Sequence, residues 1–210
     1  MKAWSLFYPD VLPELPGAPL PLLDHWLRNT AIEFCERTRA LVVNLAAIDA
    51  VALQMAYPLV LPANTELVEI IDAWFSGQKI TAKSGAFLNN KFTKWADETG
   101  TPDYYTQEDT ANVLLVPAPA AAEVGAIVIK AALKPGIAAT GIDDWLYSKY
   151  RMALCAGVKS KMMDQANVAW ANPDRVAINL AQFESAIETA TTAAADSLVR
   201  SRPRFSGSFC

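Results

Sequence analysis

Apolar positions recur at three- and four-residue spacing near the start of the chain, give way to short alternating runs in the middle, and return to helical spacing near the end. Leu23, Trp26, Leu27, Thr30, Ala31, Phe34, Cys35 and Thr38 form one apolar or small-residue face, while Asp24, Arg28, Glu33, Glu36, Arg37 and Arg39 fall mostly on the other side. This predicts a first helix that begins around Pro19–Leu22, where proline is tolerated in the first turn, and runs to about Ala40. Before it, Pro9, Pro13, Pro16 and Gly17 punctuate an expected extended lead-in over residues 1–18, with Trp4, Leu6, Phe7 and Tyr8 packing against the body.

From Leu41 to about Leu133 the expected strands are LVVNLAAI, ALQMAYPLVL, TELVEIIDAWFS, QKITAKS, DYYTQED, NVLLVPAP and GAIVIKAALK. Ser76-Gly77-Gln78 reads as a hairpin turn with glycine at positive φ, and Phe87–Glu98 fits either a short helix or a loop. An antiparallel sheet or small sandwich follows, closed off by Pro135-Gly136 and Thr140-Gly141. A second helix is expected from Ile142 to Asn167, with Asp143 and Asp144 in its first turn and Trp145, Leu146, Tyr150, Ala153, Leu154, Gly157 and Val158 inside. Asn172-Pro173-Asp174 opens a third, running to Leu198, whose seam is Val176, Leu180, Phe183, Ile187, Ala190 and Ala194. The fold class is therefore α+β: a helical bundle of one N-terminal and two C-terminal long helices with an inserted antiparallel β-sheet or sandwich lobe. Residues 19–40 plus 140–199 form the body, 41–139 the lobe and 200–210 an extended C-terminal arm.

With 210 residues, 52% of them hydrophobic, the chain has ample material for a packed core. A net charge of −4 argues against a broad basic face that grips nucleic acid. Cys35, Cys155 and Cys210 are odd in number and widely spaced, the usage of a reduced protein and not of a disulfide scaffold. The start does not read as a signal peptide, and the apolar window Ala40–Leu61 is broken by Asn44, Asp49, Gln54 and Pro58, so no membrane span is expected.

Reaction chemistry is hard to assemble from these residues. His25 is the sole histidine and sits on the first helix, so no Ser-His or Cys-His pair has an alternative member. The cysteines lack zinc spacing, and Gly136–Gly141 lacks the lysine of a phosphate loop. Asp143-Asp144 reads as a helix start and Glu108-Asp109 as a loop, with nothing to bring the two pairs together. No catalytic residue, metal or cofactor is expected. Six tryptophans could form a stacking surface for sugars or bases, but Trp26 and Trp145 fall on apolar helix faces and favour packing. Tyr104-Tyr105 puts one ring in and one out, which makes the pair an interface candidate. In the tail, Arg200, Arg202 and Arg204 alternate, Pro203 prevents helix, and Phe205 and Phe209 supply apolar anchors. That composition fits a solvated end or an arm that orders on a partner.

Three stretches taken together, LPELPGAPLPLLDHWLRNTAIEFCERT, TGTPDYYTQED with LLVPAP, and the C-terminal ALCAGVKSKMM, AWANPDRVA and FESAIETA, resemble the head-to-tail connector adaptors of tailed bacteriophages. The resemblance covers about Leu12 to Ala194. It implies a structural virion protein of the neck, made in the host cytoplasm and assembled as a twelvefold homo-oligomeric ring between the portal protein and a tail tube or nozzle protein. It also implies genomic DNA passing through the lumen without sequence-specific binding, no membrane, and a portal-docking arm at Arg200, Arg202, Arg204, Phe205 and Phe209. The alternative is a β-sandwich binding module for carbohydrate or a host surface.

Overall fold

The computed structural model describes residues 1–92 and 94–195. Its helices are α1 (Tyr8–Val11), α2 (Leu20–Thr38), α3 (Gly85–Lys91), α4 (Asp144–Met163) and α5 (Pro173–Ala195). The strands are β1 (Lys2–Ala3), β2 (Leu41–Asn44), β3 (Ile48–Ala50), β4 (Ala56–Pro58), β5 (Thr65–Phe75), β6 (Gln78–Ala82), β7 (Thr99–Gly100), β8 (Tyr104–Thr106), β9 (Asn112–Val116), β10 (Ala118–Pro119), β11 (Glu123–Pro135) and β12 (Gly141–Ile142). The class is α+β, with α2, α4 and α5 flanking a curled sheet in the order β2-β11-β5-β6-β8-β9-β4. Pairing is antiparallel along that path except at β6–β8, which is parallel.

The first helix follows its sequence pattern closely. Leu23, Leu27, Thr30, Ala31, Phe34, Cys35 and Thr38 are all buried, and Trp26 alone of that face is half-buried. Arg39 stops the helix in the left-handed region at φ 52°, its N–H donating to the Cys35 carbonyl at 2.8 Å. The lead-in is not extended. Trp4–Phe7 and Leu12–Glu14 are 3₁₀ turns on either side of α1, and Trp4, Phe7, Val11 and Leu15 are buried at helical spacing. Pro9 and Pro13 stand in the first turns of these short pieces, where a missing N–H costs nothing. The segment is held by Trp4 Nε1 donating to the Ala139 carbonyl at 2.9 Å, by the edge of Phe7 against Tyr147, and by β1 pairing with β12.

Three further expectations change. Trp145 is 41% exposed while its neighbour Leu146 is buried; Asp143 caps α4 by accepting from the Trp145 N–H, and the Trp145 ring lies edge-to-face with Tyr150. The α5 seam is rotated: Asn179 is buried where Leu180 was expected, while Leu180 is 45% exposed and Ala194 is exposed. Phe183, Ile187 and Ala190 keep their places in the core. Helix α4 also ends at Met163, short of Asn167, which itself turns left-handed at φ 61°.

In the sheet, LVVNLAAI divides into β2 and β3, both along the same edge of β11. The β5–β6 turn has Ser76 and Gly77 both at positive φ (47° and 80°), the tight turn whose twist matches the strands it joins. The ambiguous segment yields α3, capped by Ser84, followed by turns. One hydrophobic cluster joins Phe34, Tyr150 and Phe183 of the helices to Ile127, Leu133 and Leu115 of the sheet. Body and sheet therefore share a core.

Candidate interaction surfaces

The polar groups singled out from sequence are each committed to local structure. His25 is exposed, with Nε2 2.9 Å from the Asn29 side-chain amide. Asp144 pairs with the N-terminal ammonium at 2.8 Å, which holds its carboxyl below the usual range. Asp109 accepts from the Ala111 and Asn112 backbone N–H groups at 2.8 and 2.7 Å, and its carboxyl is likewise lowered, first by the Asn112 side chain. Burial pushes both the Cys35 and Cys155 thiols up to about 12, so neither is an activated nucleophile. Among the described residues no group of three or more His, Cys, Asp or Glu side chains could hold a metal ion, and no helix is long and apolar enough to cross a membrane.

Ion pairs instead fasten elements to one another. Lys159, nearly buried, donates to Glu14 at 2.6 Å and Arg175 donates to the same carboxylate at 2.5 Å, tying the N-terminal turns to α4 and to the start of α5. Arg37 forks onto Glu184 of α5, and Lys161 of α4 reaches Glu33 of α2. Between body and sheet, Arg39 meets Glu69 at 2.5 Å, and Lys134 meets Glu36 at 2.6 Å and Glu66 at 3.6 Å. Backbone register explains the spacing Glu66, Glu69, Asp72. Two irregularities in the β5–β11 ladder place these residues opposite Lys134, Ala132 and Lys130, so a period of three in sequence lies on one face of the strand.

Of the aromatic candidates, Tyr105 is buried with its hydroxyl 3.4 Å from the Ile70 carbonyl, whereas Tyr104 is half-exposed beside Phe92. The strand does not alternate cleanly, since Thr106 is buried as Tyr105 is, and Tyr104 is the more accessible of the two rings. No two tryptophans pack against each other among the described residues, so they do not make one stacking platform. Sequence reasoning missed the apolar surfaces of the helical body. A cleft of about 500 Å³ lies between β2, the first turn of α4 and the end of α5, lined by Leu41, Val42, Val43, Trp145, Ala193 and Ala194. On the outer side of the helices, Met152, Ile178 and Leu180 are 64%, 59% and 45% exposed. A solvated helix face would carry charge there. The signal was present in α5, where between Arg175 and Glu184 no residue is charged.

Arg200, Arg202, Arg204, Phe205 and Phe209 lie outside the described residues. Helix α5 runs to Ala195 at the rim of the β2–α4–α5 cleft, and the chain continues from that point.

A family model described as SU10 adaptor protein matches residues 6–204, nearly the whole chain. The chain belongs to this family of tailed-phage head-to-tail adaptor proteins, and its role is that of a structural head-to-tail connector. No curated protein matches it.

Proposed function

From that membership we propose that the chain is one subunit of a twelvefold homo-oligomeric ring in the virion neck, seated beneath the portal and above a tail tube or nozzle protein. The observation that carries this reading is the family match over residues 6–204, which takes in the long helices, the sheet and the start of the C-terminal arm. Residues 19–40 and 140–199 serve as the ring-forming body, residues 41–139 as a lobe making lateral or downward protein contacts through the Tyr104 side, and 200–210 as the arm. Arg200, Arg202 and Arg204 pair with carboxylates of the portal while Phe205 and Phe209 fill apolar pockets. The modest negative charge suits a conduit, because a lumen dense in lysine and arginine would retain DNA through counterion release. Native mass measurement and negative-stain images of the chain with purified portal test the proposal. Rings coaxial with the portal are expected; a chain that stays monomeric in the presence of portal and of portal-bearing heads would overturn it.

A further inference from the structure

The sheet contains a gap. Strand β5 is paired by β11 from Thr65 to Phe75, but on its other side β6 accompanies it only from Ala73 to Phe75. Beyond that, β6 crosses to β8, pairing Thr81 with Tyr104 and Ala82 with Tyr105. The stretch Thr65–Asp72 thus has no strand on that side among the described residues. An unpaired edge of this length is a template for another chain, and native sheets ordinarily cover or blunt it. The opening between β5 and β8, about 260 Å³, is lined by Glu69, Ile70, Lys83, Tyr105, Thr106 and Gln107. Among the described residues only the Tyr105 hydroxyl bridges it, donating to the Ile70 carbonyl at 3.4 Å.

Two side chains that line this opening, Lys83 and Gln107, lack polar partners among the described residues, and a second cation, Lys91, stands next to Lys83. The side-chain nitrogen of Gln107 is buried and makes no hydrogen bond among the described residues, a donor that calls for an oxygen acceptor. Lys83 and Lys91 hold their ammonium groups 4.6 and 5.6 Å from the centre of the same ring, Phe87, which is 37% exposed. Neither ammonium pairs with a carboxylate among the described residues, whereas Glu69 inside the opening is already neutralised by Arg39. Two cations around one ring, beside an orphaned donor and a free strand edge, call for an occupant that is extended and anionic.

We propose that the β5–β8 opening docks an extended, carboxylate-bearing segment of a partner protein, which adds to the sheet as a further strand. Its backbone N–H groups meet the β5 edge at Ile70, one of its carbonyls accepts from Gln107, and its acidic side chains meet Lys83 and Lys91. Duplex DNA, the other polyanion near an adaptor, lacks the alternating donors and acceptors of a strand edge, and its convex backbone does not enter a recess between strands. The proposal concerns the free chain and stands whether or not the ring reading does.

Titration of the full chain with an end-blocked peptide, Val-Glu-Thr-Glu-Val, followed by NMR, tests it. Shifts are expected at Ile70, Lys83 and the Gln107 side-chain amide, with slowed exchange of β5 amides. The double variant Lys83→Gln/Lys91→Gln should weaken binding about tenfold by losing two charge-assisted contacts, and the lysine counterpart of the peptide should leave these signals unmoved. No shift at these residues, binding undiminished in the double variant, or a short DNA duplex moving the same signals in place of the peptide would each overturn the assignment.

Discussion

At the scale of single residues, the closest packing in the helical body surrounds Gly157. A methyl group there would lie 2.6 Å from Thr30 Cγ2 of α2 and 2.8 Å from the Phe183 ring of α5, so all three long helices meet at a point that admits only hydrogen. Gly157→Ala should lower stability by about 1–3 kcal/mol through overpacking, despite alanine's better helix propensity, read as a lower midpoint in denaturant at unchanged slope. An unchanged midpoint would mean that the helices separate there at little cost. Sequence spacing placed Gly157 on the inner side of its helix, but its need to be glycine comes from Thr30 and Phe183, which local periodicity does not reveal. Glu14 is a second such residue. The hydrogen bond donated by Lys159, helped by Arg175, holds its carboxyl below the usual value of 4.5. Because the folded value is depressed, its contribution is complete above the unfolded value and is lost as pH falls through the folded one. Glu14→Gln should therefore cost about 1.5–3 kcal/mol near neutral pH, leaving Lys159 without its anion, and the difference from wild type should shrink below about pH 4.5. Denaturant melts across that range check it.

At the scale of elements, helix α2 was legible because one uninterrupted face of seven buried residues fixes both its extent and its orientation. Helix α5 was legible in extent and not in rotation. Leu180 suits a four-three seam by hydrophobicity, yet Asn179 is the buried residue, its amide 3.5 Å from the Met163 sulfur. Replacing exposed Leu180 with glutamine should change stability by less than about 0.5 kcal/mol, while Ile187→Ala should cost about 2–5 kcal/mol. Thermal melts showing the reverse order would put the seam back on Leu180. The lead-in departs from its extended reading for a related reason: its prolines punctuate a segment in which Trp4, Phe7, Val11 and Leu15 carry a helical period. The free edge of β5 was not legible at all, since a strand's own sequence does not say how far its neighbour will follow it.

At the scale of the whole molecule, the shared core of helices and sheet has a mechanical consequence. The ties from Arg39 to Glu69 and from Lys134 to Glu36 and Glu66 pin the sheet to the end of α2, so forces on the lobe pass into the body without a hinge. Among the described residues the last core position of α5 is Ala190, well before residues 200–210, the segment proposed as the arm. An arm of eleven residues would reach about 36–40 Å if fully extended. In a ring, even weak attachment by each arm is multiplied, since the first engaged arms hold the rest at high effective concentration. Deleting Arg200–Cys210 should then leave the melting temperature nearly unchanged while abolishing stable attachment to portal-bearing heads, scored by co-sedimentation. Neutralising Arg200, Arg202 and Arg204 together should give a milder defect that deepens with added salt, as expected when charge pairs guide the contact and aromatic anchors complete it. If the truncated chain still co-sediments at wild-type occupancy, docking resides in the helical body, and the cleft beside Trp145, where α5 delivers the chain, becomes the surface to mutate next.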